Sequence, residues 1–389
     1  MGEKQDRIGR SARSYVLICA FVAATWLPMA DMLFGPATAR PLSENREMAA
    51  LPKFGWRPAA LKMFVFDLKP YLRDNFGFRP ELIHWYHLLK GRLLGASSSP
   101  LVLFGKQGWL FYAGEHTVDD YRCVTPYTDE ELDGMQRLFE QERDWLAQRG
   151  IQYLLVFVPN NHTLYPEFLP DGLTRLRPES RLDQFVDHMR KNSTVELLDL
   201  RPALLEAKQK MRVSRRTDSH WTEYGAFIGY QAIMQKLCAW FPAIRPPRIE
   251  DFTVVTRMRP GGDLTEMIDA EEERQEESIE LVPRAPRRAV QTKIRDTARV
   301  NGKLVPAIIV AEVPQPGWPR AVILHDSSGG MRGLMPFLSE DFSRIAFVAT
   351  RRFQRKVIEA EKPDVVIRQF TERFLILDRG NFLDQDDAP

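Results

Sequence analysis

Cysteine is scarce: the 389-residue chain has three, without metal-ligand spacing. That excludes a disulfide scaffold and a cysteine-built metal centre. Cys19 lies in an apolar N-terminal run. Cys123 and Cys238 either pair in an oxidising compartment or stay as buried thiols. Charge of one sign is also lacking. Lys and Arg total 54 against 52 Asp and Glu, a net +2, so the balance demands no nucleic acid. A local basic groove for an acidic polymer remains compatible with it. No internal repeat is present. What is abundant is core material: 44% hydrophobic and 27% charged residues suit a globular chain of one large or two ordinary domains.

One long apolar run stands at the N-terminus. Lys4, Arg7, Arg10 and Arg13 form a basic leader over residues 1–13, and SYVLICAFVAATWLPMADMLFG follows over 14–35, with Asp31 its only charge. About twenty apolar residues span a bilayer as a helix, so the run is just long enough for a transmembrane signal anchor. Positive charge stays on the cytoplasmic side, which sends the rest of the chain outward. Ala37-Thr38-Ala39 resembles a signal-peptidase site, but it lies far from the apolar run. An uncleaved anchor is therefore the expectation.

Residues 36–95 read as a linker with juxtamembrane helices. Arg40 to Trp56 is polar and proline-punctuated, and Leu82, Trp85, Leu88 and Leu89 recur at helical spacing. Beyond this, helix and strand alternate over 96–378. LVLFGKQGWLFY at 101–112 predicts two short strands around a turn. Thr128 and Glu131 signal a capped helix over 128–149, ended by Gly150. IQYLLVFVP at 151–159 is a continuous apolar strand, as expected where both faces of a parallel sheet are covered. Helices near 178–191, 223–241 and 352–361 alternate with strands near 195–200, 321–326, 344–350 and 363–370. This predicts an α/β domain with a mostly parallel sheet flanked by helices. Residues 245–300 break the rhythm with prolines, AEEERQEE and PRAPRR. They read as a solvated insertion with some antiparallel structure. Residues 379–389 read as a loose tail.

Two short segments carry the chemistry. TDSHWTEYGA puts Asp218 and His220 two apart, just before a helix, and LHDSSGG puts Ser327 after a strand with Gly329 and Gly330 opening the next helix. A serine hydroxyl needs a base within hydrogen-bond reach to become a nucleophile. Histidine titrates in the right range for that task. A carboxylate fixes the ring tautomer and stabilises the imidazolium. Amides from Ser327 through Ser328 to Gly329 are placed to face a developing oxyanion. D-x-H alone is a weak signal, as is a serine after a strand. A loop histidine and a capping serine would read the same. His325 and Asp326 offer a second base and orienter, or metal ligands beside Asp218 and His220.

An ordered series of segments sharpens this reading. ENREMAALP, YLRDNFGFRPELI, LFGKQGWLFY, VFVPNNHTLYPEFLP, RTDSHWTEYGA, PGGDLTEM and KPDVVIRQFTERFL resemble successive blocks of the AlgJ/AlgX-type alginate O-acetyltransferases, from about Glu44 to Phe374. The resemblance implies an SGNH-hydrolase-like domain with Asp218, His220 and Ser327 as the triad, the Asp and His preceding the serine. It implies a single-pass protein of the bacterial inner membrane whose catalytic domain faces the periplasm. A membrane-bound O-acyltransferase would supply acetyl groups, Ser327 would carry them as an ester, and an exopolysaccharide would accept them. No metal or tightly bound cofactor is implied. Two departures stand out. His325 occupies a position that is usually glycine, and Pro159-Asn160-Asn161 lacks a lysine common in relatives. Asn160 and Asn161 are candidate oxyanion donors or surface turn residues. Arg351 and Arg352 are candidates to hold a uronate carboxylate, or a solvated basic turn. Two other functions fit the same chain: a carbohydrate acetylesterase with the same triad, and an inactive scaffold of a polysaccharide export complex.

Overall fold

A computed structural model describes residues 2–34, 49–94, 97–294, 297–300, 303–306, 308–330 and 333–377. The expected linker up to residue 48 and the expected tail from 379 lie outside them. The chain divides into two compact units, Met1–Leu94 with Asn301–Lys303, and Gly95–Val300 with Leu304–Pro389.

In the first unit, helix α1 covers Gly2–Phe34. Its window Tyr15–Met32 has mean hydropathy 1.6 and is only 6% buried, so this helix is long and apolar enough to cross a membrane. Helices α2 (Pro58–Asp74) and α3 (Arg79–Leu94) follow. Asp31 accepts the Phe78 amide at 2.9 Å, which gives the one charge of the apolar run a partner.

The second unit opens on β1 (Val102–Phe104) and β2 (Leu110–Tyr112), an antiparallel pair around the expected Lys106–Gly108 turn. Helix α4 (Thr117–Tyr121) leads to α5 (Asp129–Ala147). Thr128 and Glu131 close the predicted capping box on α5, satisfying two amides that a helix start leaves unpaired. Then come β3 (Gln152–Val158), α6 (Asn161–Leu164), α7 (Arg181–Asn192), β4 (Leu197–Asp199), α8 (Arg201–Ala207) and α9 (Glu223–Trp240). After β5 (Phe252–Arg259), α10 (Asp263–Glu266) and β6 (Glu276–Pro283) come the short strands β7 (Val290–Ile294), β8 (Thr297–Val300), β9 (Lys303–Pro306) and β10 (Ile308–Glu312). The chain ends on β11 (Arg320–His325), α11 (Met335–Leu338), β12 (Arg344–Ala349), α12 (Arg355–Glu361), β13 (Val365–Thr371) and α13 (Phe374–Leu377).

Seven strands form the main sheet in the order β4-β3-β13-β11-β12-β10-β7. From β4 to β12 all neighbours are parallel, whereas β10 and β7 add antiparallel pairs at one edge. The sheet is mostly parallel with a mixed edge, and the stretch 245–300, read as a solvated insertion with some antiparallel structure, contributes to that edge. Its β5–β6 ribbon does pair only with itself, but β7 belongs to the main sheet. Both faces are buried because alternate residues of each central strand point to opposite sides. Leu154, Val156, Ile323 and Ile367 pack with α8, α9 and α11, while Leu155, Phe157, Leu324 and Phe370 pack with α5, α7 and α12. Parallel strands share one carboxyl edge. There the segments after β3, β11, β12 and β13 converge, which is the ligand edge of open α/β sheets.

Candidate functional site

The segment before α9 is a closed loop. Ser214 and Trp221 form an antiparallel bridge, and Thr222 caps α9 by accepting the Gly225 amide at 3.1 Å. The turn between them curls so that Asp218 meets the ring of His220. Asp218 Oδ1 lies 2.7 Å from His220 Nδ1 and accepts the His220 amide at 3.0 Å. Asp218 is fully buried, and its second oxygen accepts from Arg215 at 2.9 Å. Burial opposes its charge, but the hydrogen bond and charge of His220, with Arg215, hold its carboxyl well below the usual range. The His220 side chain is 19% exposed. Burial pushes it toward neutrality. The hydrogen bond and charge of Asp218, then the charge of Asp263, outweigh that and raise its pKa, against a smaller contribution from Arg373.

Several supports of this loop were not legible as such in the sequence. Asn161 Nδ2 donates to the Asp218 carbonyl at 2.9 Å. Glu276, inside the acid run read as solvated, is fully buried. It accepts from Arg215 Nε at 2.9 Å and from the amides of Arg216 and Thr217 at 2.8 and 3.3 Å. Asp263 accepts the Ser219 amide and hydroxyl at 2.7 and 2.5 Å. The sequence does hold a signal for this last contact, a double glycine directly before the acid. Asp218, His220 and Asp263 offer one metal-ligand atom each within 4.8 Å of one another. Yet Nδ1 is already bonded to Asp218, and Arg215 and Ser219 occupy the other carboxylate oxygens. The cluster is a hydrogen-bonded acid–base group with its own internal cation.

Ser327 opens a short 3-10 turn directly after β11. Its side chain is exposed, and no hydrogen bond among the described residues occupies its hydroxyl or joins it to His220. Asp326 pins the turn. Its carboxylate accepts the Ser328 amide at 2.9 Å, Gln369 Nε2 at 3.0 Å and the Thr371 amide. This differs from the expectation of amides facing an oxyanion. The Ser328 amide is taken by the Asp326 carboxylate and that of Gly329 by the Asp326 carbonyl at 3.3 Å. Ser328 is buried, with its hydroxyl 3.0 Å from that of Thr371. None of the described hydrogen bonds uses the Ser327 amide. His325 is buried and donates from Nδ1 to the Asp326 carbonyl at 2.6 Å, so the alternative pairing of His325 with the Asp326 carboxylate is not formed.

The two loops abut. A β-carbon placed on Gly333 would fall 1.7 Å from the Ser328 carbonyl oxygen and 2.9 Å from Trp221 Nε1. Trp221 follows His220 and Ser328 follows Ser327, so the indole of the histidine loop and the backbone of the serine turn meet at Gly333. Asn160 is buried. Its amide donates to Glu372 at 3.0 Å, and its side-chain oxygen accepts from Arg373 at 3.3 Å. The carbonyl of Arg351 accepts from the buried Arg368, and its guanidinium lies 4.2 Å over Phe374. Arg352 is exposed, its amide donating to Thr350. Cys123 and Cys238 are free thiols.

A layered, mostly parallel α/β sheet, with the histidine loop meeting the serine turn through Trp221 and Gly333, defines the class: an SGNH-hydrolase-like domain. The chain belongs to the family described as SGNH hydrolase-like domain, acetyltransferase AlgX, whose model matches residues 102–311. Asp218, His220 and Asp263 lie inside that stretch and Ser327 beyond it. Among relatives, a protein of Pseudomonas syringae pv. tomato named "Probable alginate O-acetylase AlgJ" is 33% identical over 141 residues, 35% of this chain and 34% of that protein. The protein of the same name from Azotobacter vinelandii is 28% identical over 176 residues, 43% of this chain and 42% of that protein. The matches thus span well under half the length of these relatives. Bacillus cereus PatB1 shares the fold at TM-score 0.52 with 16% identity, over 70% of this chain and 96% of PatB1.

Proposed function

We propose that the chain is an O-acetyltransferase that adds acetyl groups to a secreted, alginate-like exopolysaccharide. It works in the periplasm, held to the inner membrane by α1. The observation that carries this reading is the 2.7 Å bond from Asp218 to His220 Nδ1, on a loop that abuts the turn exposing Ser327. With Nδ1 held by Asp218, Nε2 is the basic nitrogen. It takes the Ser327 proton, directly or through one water, as the serine oxygen attacks the donor's acetyl carbonyl. The proton then passes to the departing donor group, leaving an acetyl ester on Ser327. A sugar hydroxyl gives its proton to Nε2 and attacks that ester, and the serine oxygen leaves with the proton. Asp218 keeps its charge and stabilises the imidazolium in both halves. The Ser327 amide is the best-placed backbone donor for the oxyanion, because the next two amides are used by Asp326.

The acetyl source is a membrane-bound O-acyltransferase, and Arg351 and Arg352 at the end of β12 are the candidates to pair with a uronate carboxylate. The names of the relatives support the choice of polymer. The test is mass spectrometry after incubation with a chromogenic acetyl ester, looking for an acetylated Ser327 peptide. Ser327→Ala and His220→Ala should each remove nearly all turnover. Asp218→Asn should cost up to about four orders of magnitude in kcat with the fold intact. Substantial turnover in His220→Ala, or acetyl on another residue, would sink the assignment.

A further inference from the structure

The segment after β5 brings a second carboxylate to the histidine. The Gly262 amide donates to Thr217 Oγ1 at 3.0 Å and the Leu264 amide to the Thr217 carbonyl at 3.2 Å. This docking sets Asp263, the first residue of α10, against the loop of Asp218 and His220. Its two oxygens take both donors of Ser219, and Oδ2 stands 3.5 Å from His220 Nδ1. Nδ1 therefore faces one acid at hydrogen-bonding distance and another at a distance where Coulomb attraction acts without a good hydrogen bond.

The two acids differ. Asp218 is paired with Arg215, whereas no described lysine or arginine pairs with Asp263. Burial and the charge of Asp218 push Asp263 up to about 6, partly offset by His220 and Ser219. Two carboxylates at one site move apart in this way because both cannot ionise freely. Other groups face the cluster from each packed element. Tyr112 of β2 feels Asp263, and burial raises its phenol. Glu115 lies beyond β2, paired with Arg373, and Arg373 works against the protonated form of His220. Glu276 of β6 acts through Arg215.

We propose that Asp263 is a positioning residue for the base. Through Ser219 it fixes the loop that carries His220, and its own charge stands beside the imidazolium formed when Ser327 gives up its proton. The inference rests on the acyl-transfer reading for its catalytic meaning, but the coupling of Asp263 to His220 is measurable without turnover.

The test compares full-length wild type, Asp263→Asn, Asp263→Glu and Ser219→Ala. Two readouts are used: the titration of His220 by NMR with labelled histidine, and the pH profile of kcat/KM for a chromogenic acetyl ester. Loss of one negative charge disfavours the imidazolium. Asp263→Asn should therefore lower the His220 midpoint by on the order of 1 pH unit. The acid limb of kcat/KM should move the same way, with kcat lowered and KM unchanged. Asp263→Glu should bring the midpoint back toward wild type. Ser219→Ala, which keeps the charge and removes a tether, should lower kcat with little change in midpoint. An Asp263→Asn protein that unfolds as wild type does and keeps the wild-type midpoint overturns the proposal, as does Asp263→Glu with the midpoint of Asp263→Asn. A shifted NMR midpoint in proteins that never turn over the ester upholds the coupling and removes the acyl-transfer reading instead.

Discussion

At the scale of single residues, Arg215 is the joint between the candidate acid and the rest of the domain. It reaches Asp218 on its own loop and Glu276 at the start of β6, both at 2.9 Å. Glu276→Gln should keep an acceptor for the Arg216 or Thr217 amide but remove one of the two charges on Arg215. We expect a loss of about 1–3 kcal/mol in urea unfolding, together with lower turnover because Asp218 is held less firmly. Wild-type stability and turnover in this variant would show that Arg215 needs only Asp218. The contrast in legibility is physical. Asp218 and His220 sit two apart in one turn, so their pairing can be read from the chain. Glu276 looks like one more acid of a solvated run, because acids are seldom fully buried unless paired, and its partners come from a loop on the far side of α9. In the sequence Asp326 reads as a possible orienter of His325. Its actual partners, on β13 and in its own turn, become visible only when the strands are side by side.

Among elements, those with a strong local signal were the readable ones. The strands β3 and β11 carry unbroken apolar runs, Tyr153–Val158 and Ala321–Leu324, β13 opens on Val365–Ile367, and α5 announces its start with Thr128 and Glu131. The strand β7, VQTKI, carries mixed polarity at a sheet edge beside a basic run, and β10 is five residues long and hemmed in by Pro306 and Pro314. They pair with each other across the short strands β8 and β9, and β10 also pairs with β12, pairings that a local pattern does not encode. Helix α10 is four residues long, too short to show a period, yet it holds Asp263. Its approach depends on Gly262, whose backbone is extended (φ −88°), so a side chain is barred by contact and not by conformation. A β-carbon there would fall 2.4 Å from Asp218 Cβ and Oδ2. Gly262→Ala should therefore displace the acid beneath His220 and lower kcat about a hundredfold, measured on the chromogenic ester. Gly172→Ala, where nothing lies within 4 Å of the added carbon, is the control and should leave kcat unchanged. Equal rates in the two variants would mean that the contact relaxes without moving Asp218.

For the whole molecule, the division into two units puts the long apolar helix and the candidate site in different units. The second unit contains Asp218, His220, Asp263 and Ser327, and its sheet is buried on both faces by its own helices. The first contains the one helix among the described residues that is long and apolar enough to span a bilayer, with exposed apolar side chains along it. A core of this size should not need the anchor in order to fold, and reaction with a small ester should not need the membrane. A chain beginning at Ser97 should therefore be recovered in the soluble fraction, unfold in one cooperative transition and retain the kcat of the full-length protein on a chromogenic acetyl ester. Transfer to a polymer should behave differently. If the acetyl group comes from a membrane-bound donor, the freed domain must meet that donor by diffusion, so in cells acetylation should fall although the isolated chemistry is intact. Fractionation, thermal unfolding and ester kinetics of the truncated chain, set beside polymer acetylation in cells, measure both halves. Loss of ester turnover in a truncated chain that still unfolds cooperatively would mean that residues before 97 complete the site. Full polymer acetylation by the soluble domain would mean that membrane attachment has no part in delivering the acetyl group.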